Sequence, residues 1–178
     1  SGEYLRDRQF LVDNRIQGGR YGNEVLSVLR VDGGGLLLVN RGWVAADPAR
    51  RALPDVPPPA GPVTVDGHIY VPPGDPYLLS EQVLGEDWPK RIQAVQVPLL
   101  ASALAATDEP APGLFPYTLR IDAGGPGALA VDWKVVNVSP AKHLGYSVQW
   151  FAMALALALV FLFRSSNLWS VLTGRGGN

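Results

Sequence analysis

The chain has 178 residues, 47% of them hydrophobic, with fifteen basic side chains, sixteen acidic ones and no cysteine. That length is enough for one ordinary domain with its own core, and the balanced charge, without a lysine or arginine cluster, excludes a nucleic-acid footprint. The absence of thiols excludes disulfides, thiolate metal sites, thiol catalysis and covalent haem attachment.

The opening residues, SGEYLRDRQF, carry neither a signal peptide nor a membrane span. An exported domain needs one or the other, so a first, N-terminal transmembrane helix is expected to be missing from this chain. Residues 4–12 alternate as a strand does, and Asp13, Asn14, Arg15 and the following Gly18-Gly19 predict a turn-rich connection. Residues 24–31 and 36–44 predict two further strands joined by the turn Gly33-Gly34-Gly35. Those three glycines are no phosphate loop, because a strand follows them where a helix start with lysine and Ser/Thr would be needed.

Residues 47–62, with Pro57-Pro58-Pro59, predict an extended surface excursion of polyproline character. Residues 63–71 read as a strand in which His68 is a surface or half-buried packing residue, with a ligand role the lesser alternative, and residues 77–90 as an irregular stretch whose Glu86-Asp87 pair belongs to a solvated loop. A short strand at 92–97 precedes a helix at 98–106 with Pro98 in its first turn. Strands at 117–122 and 129–138 complete the pattern. The fold class is mainly β, an antiparallel sandwich or barrel-like extracytoplasmic domain with one short helix, followed by a C-terminal transmembrane helix.

Residues 144–163 read LGYSVQWFAMALALALVFLF, with no Asp, Glu, Lys, Arg or His. Twenty helical residues at about 1.5 Å each cover the roughly 30 Å of a bilayer core. A buried core helix would keep a polar stripe, whereas every side chain from 151 to 163 is apolar. Lys142, His143, Tyr146, Gln149, Trp150 and Phe151 form a polar and aromatic belt at the entry side of the span, and Arg164 closes it. Arg164 and Arg175, without an acid nearby, put the tail on the cytoplasmic side. The expected division is a periplasmic β domain over 1–141, a transmembrane helix over 142–164 and a short cytoplasmic tail over 165–178.

Enzyme signatures are scarce: no nucleophile elbow, no paired-histidine metal motif, and two histidines in all. His143 has Tyr146, Ser147 and Trp150 at i+3, i+4 and i+7, a face that could ligate haem iron between aromatic rings or simply anchor the helix at the interface. In VNRGWV, strand alternation puts Arg41 and Trp43 on one face and Asn40 and Gly42 on the other. That face could serve a partner or a propionate; equally, Gly42 could mark a bulge and Arg41 pair structurally with an acid.

Three stretches, LVDNRIQGGRYG at 11–22, LLLVNRGWV at 36–44 and KHLGYSVQWF at 142–151, resemble the Surfeit locus protein family of cytochrome c oxidase assembly factors. The resemblance implies an integral membrane protein of the bacterial inner or mitochondrial inner membrane, with two spans and a large domain between them on the periplasmic or intermembrane-space side. It implies a non-enzymatic role in delivering haem a to the largest oxidase subunit, or in stabilising that subunit, with the haem a synthesis machinery as a further partner. Carried across, His143 is the candidate iron ligand, Tyr146 and Trp150 are its neighbours, and Asn14, Arg15, Asn40, Arg41, Gly42 and Trp43 form a partner or fold-defining surface. Ala45 stands where the family often has proline. The rival reading is a lasting structural accessory subunit of an oxidase that binds no haem.

Overall fold

The computed structural model describes residues 1–74, 76, 78, 81–106, 113–133 and 140–166, the first four residues of the last stretch by backbone alone. The chain divides into two compact units, Ser1–Trp133 and Lys134–Asn178. The first is a curled sheet, a half-barrel with a short helix; the second is described by a single helix.

Three long strands, β1 (Gly2–Gln17), β2 (Arg20–Val31) and β3 (Leu36–Ala45), form an antiparallel meander. The connection expected over 13–19 is instead mostly strand, because β1 runs on to Gln17 and turns in two residues. Gly18 and Gly19 take φ of 56° and 74°, the left-handed pair that a tight hairpin needs. Asp13 and Asn14 mark a register shift inside β1, with Asn14 at φ 58°.

The stretch 63–71 does not form one strand. β4 (Pro62–Val63) pairs with the start of β1, while β5 (Gly67–Tyr70) crosses to the far side of the sheet and pairs with β7 (Leu114–Ile121). Its alternation is continuous, but its two halves find different edges. β6 (Lys90–Ile92) runs parallel to Phe10–Val12, and α1 (Val97–Ala105) begins one residue earlier than expected with proline in its first turn. β3 and β7 are also parallel, so the sheet is mixed, in the order β4-β1-β2-β3-β7-β5. The strand expected at 129–138 is reduced, among its described residues, to a bridge between Trp43 and Ala130; residues 134–139 lie outside the described ones.

The two sheet faces carry separate cores, as a period of two requires. On one face Phe10, Val12, Leu26, Val28, Leu36, Leu38 and Ile92 pack under Leu100 and Leu104 of α1, one helical turn apart. On the other, Tyr4, Leu29, Val39 and Ile121 gather with Val63, Leu119 and Val131. Each such buried side chain contributes roughly 1.5–3 kcal/mol of transfer free energy. The loop before β6 is fastened by Lys90, whose ammonium donates to the carbonyls of Gly85 and Glu86 at 2.5 and 3.0 Å and lies over Trp88. Glu86 and Asp87 themselves are exposed, and so is His68.

In the second unit, α2 (Pro140–Ser165) contains a stretch, Leu144–Ser165, long and apolar enough to cross a membrane, none of it buried inside the protein. The physical argument for a membrane is that exposure: Phe151, Leu155, Leu157 and Phe161 present apolar surface that water would leave unpartnered.

Candidate functional site

Two backbone irregularities build the site. At the β1 bulge, the Asp13 carboxylate accepts the Tyr21 hydroxyl, the Asn14 N–H at 2.7 Å and the Asn23 amide at 3.4 Å, with Arg91 at 3.9 Å. Partial burial pushes the Asp13 pKa up, but the Tyr21 and Asn14 hydrogen bonds and the charges of Arg91 and Arg50 outweigh it and hold the carboxyl below its ordinary value. The bulge shifts the register before Arg15, whose guanidinium then lies 3.6 Å from Glu24 on β2.

The second irregularity is at Arg41–Gly42 in β3, where two residues oppose Val25 alone. Gly42 takes φ 108°, and a Cβ there would meet the Ala130 carbonyl oxygen at 2.7 Å. The Asn40 side-chain oxygen accepts the Gly42 N–H at 3.1 Å, and its amide donates to Glu24 at 2.7 Å. Glu24 is therefore held from both motifs, by Arg15 and by Asn40.

Asn40 pairs across β7 with Arg120. That guanidinium lies 3.6 Å from the centre of the Tyr70 ring and 5.0 Å from that of Trp133, and its Nε–H is buried with no acceptor among the described residues. Arg15, Glu24, Asn40, Tyr70 and Arg120 line one cavity of about 520 Å³ whose remaining wall includes Pro72, Pro73, Val95, Val97 and Pro116. Two cations against one carboxylate leave the site one charge positive.

The six surface residues expected from the motifs separate. Arg15 and Asn40 reach this cavity, while Asn14 sits exposed on the bulge. Arg41 lies elsewhere, 2% exposed, donating from Nε to the Gly127 carbonyl at 2.6 Å and from Nη1 to the Val56 carbonyl at 2.8 Å and the Ser27 hydroxyl at 3.3 Å. It binds backbone carbonyls, not an acid, and so staples the proline-rich excursion to the sheet. Burial lowers its pKa, against an opposing pull from Tyr4. The extra residue at the bulge also changes the faces: Trp43, paired with Glu24, falls on Asn40's side and not on Arg41's. Gly42 is the bulge that the glycine could have marked.

His143 falls in α2, but its side chain lies outside the described residues. Tyr146 and Trp150, one turn apart on α2, are 61% and 69% exposed. Sequence reasoning missed Glu24, Tyr70 and Arg120. For Glu24 and Arg120 the available signal was a charged residue at an inward-facing position of a strand; Tyr70 carried none. Among the described residues, no group of His, Asp or Glu could hold a metal ion.

Comparison with known proteins matches residues 1–155 to the SURF1 family. SURF1-like proteins of Mycobacterium bovis and of two strains of Mycobacterium tuberculosis, each described as uncharacterized, are 26% identical over 155 residues, covering 87% of this chain and 54% of theirs. The chain thus spans about half the length of the curated relatives it matches. No solved structure matches. The matched range takes in the Asp13-Asn14-Arg15 bulge, the Asn40-Arg41-Gly42-Trp43 bulge that meets it at Glu24, and the start of the apolar helix with His143: the chain belongs to the SURF1 family.

Proposed function

We propose that this chain is a membrane-anchored assembly factor for cytochrome c oxidase that works without catalysis, binding haem a transiently for insertion into the largest oxidase subunit or holding that subunit while it matures. The observation that carries this reading is the family match over residues 1–155, which runs from the β domain into an apolar helix opened by Lys142, His143, Tyr146 and Trp150. A neutral imidazole at a helix end beside aromatic rings is suited to ligate haem iron, with His143 as ligand and Tyr146 and Trp150 beside the macrocycle. The basic residue after the span, Arg164, favours a cytoplasmic or matrix C-terminus and a β domain on the opposite side.

The test is the visible spectrum of the purified full chain after co-expression with a haem a supply, for wild type and His143→Ala, together with co-isolation of the largest oxidase subunit. A haem a band lost in the variant supports haem binding at His143. A chain that carries no haem but retains the subunit through and after maturation identifies a lasting accessory subunit instead.

A further inference from the structure

We infer that the cavity beside Asn40 and Arg120 is a binding site for a carboxylate carried on an apolar body. The polar half of the argument is Arg120. Its guanidinium lies over the Tyr70 ring at 3.6 Å and over the Trp133 ring at 5.0 Å, cation–π contacts that hold the charge in place without supplying a hydrogen-bond acceptor. Among the described residues the guanidinium edge has no acceptor: Nε–H is unpaired but closed to water, so the terminal nitrogens, which carry no hydrogen bond to a described group, are the donors left for a ligand in the cavity that Arg120 lines. Glu24 does not supply the missing anion: its oxygens face Arg15 at 3.6 Å and Asn40 at 2.7 Å, and among the described residues no ion pair joins it to Arg120.

The remaining wall decides what the anion is attached to. Pro72, Pro73, Val95, Val97 and Pro116 offer apolar, conformationally stiff surface around about 520 Å³, within the range of small-ligand pockets. A carboxylate matches the forked donors of an arginine edge in plane, and a single negative charge matches the single excess cation. A phosphate dianion would meet Glu24 in the same cavity and suffer repulsion that a monoanion halves. The ligand class is therefore an amphipathic monocarboxylate, either a free small acid or the carboxy-terminal end of a chain. The site lies wholly in the β unit and depends neither on haem nor on His143.

The experiment uses the full chain in a neutral detergent and calorimetric titration with four probes: 4-phenylbutyrate, its carboxamide, acetyl-leucyl-phenylalanine, and the amide of that dipeptide. Detergent alone is the reference, and because micelles take up the neutral amides more readily, a preference for acids cannot come from partitioning. The expected result is that at least one acid binds about tenfold or more tightly than its amide, the discrimination that one charge-assisted hydrogen-bonded pair supplies. Arg120→Gln should abolish that preference while His143→Ala leaves it intact. Preference for 4-phenylbutyrate alone identifies a free small acid as the ligand; preference shared by the dipeptide identifies a chain terminus. Equal binding of acids and amides by the wild type overturns the inference, as does an Arg120→Gln chain that folds and still prefers acids. The wild-type comparison decides even if that variant fails to fold.

Discussion

Trp43 donates its indole N–H to the backbone carbonyl of Arg15 at 3.0 Å, tying the two bulged motifs across the sheet. Beneath the indole lies Gly22, where a Cβ would meet Trp43 Cε2 at 2.4 Å and the Val44 carbonyl oxygen at 2.2 Å. The absence of a side chain at position 22 is what lets the ring reach β1.

Two substitutions follow from that contact. Trp43→Phe keeps a ring but loses the hydrogen bond, and should cost about 0.5–1.5 kcal/mol. Gly22→Ala forces backbone apart and should cost more, roughly 1–3 kcal/mol. Chemical denaturation of both variants checks the order; an alanine that costs less than the phenylalanine refutes the packing account.

Arg41→Met should destabilise by about 3 kcal/mol, because the Val56 and Gly127 carbonyls lose their donor in a buried setting. Its specific signature is local. The excursion over 46–61 should become sensitive to limited proteolysis while β1 to β3 stay protected. A uniform loss of protection would mean that Arg41 supports the whole sheet and not this segment.

The pH profile has two edges. Asp13 is held below its ordinary value in the folded state, so its stabilising effect is complete above about pH 4, the unfolded value, and is lost as pH falls through the lower folded value. Tyr4 is pushed up to about 12 by burial, against the pull of Arg41, so its contribution is complete below about pH 10 and is lost between there and 12. Replacing Asp13 by Asn should flatten the acid edge and also release the Tyr21 hydroxyl, which the hydrogen bond to Asp13 holds above its ordinary value, whereas Tyr4→Phe should act on the alkaline edge alone. Stability curves of the two variants that keep both edges would assign the effects to other groups.

Leu155 and Leu159 lie one turn apart on α2 and are exposed. Arginine at either should cost roughly 2.5–3.5 kcal/mol of membrane insertion, so the double variant should move from the membrane pellet to the soluble fraction on carbonate extraction. A double variant that remains in the pellet would show that α2 is not what anchors the chain.

Residue order alone was enough for the local features. An unbroken apolar run determines a helix that must find an apolar environment, proline ahead of two leucines one turn apart determines α1, and glycine turns between alternating runs determine the β1–β2–β3 meander. The family motifs were equally plain in the chain, but not what their residues do. The split of 62–70 between opposite sheet edges, the parallel pairing of β3 with β7, and the meeting of Arg15, Glu24, Asn40 and Arg120 are long-range pairings. Their register is set by which apolar faces pack together, a property of the whole sheet. Only the tertiary structure could separate Arg41 from Trp43, because one extra residue at a bulge reverses every face after it.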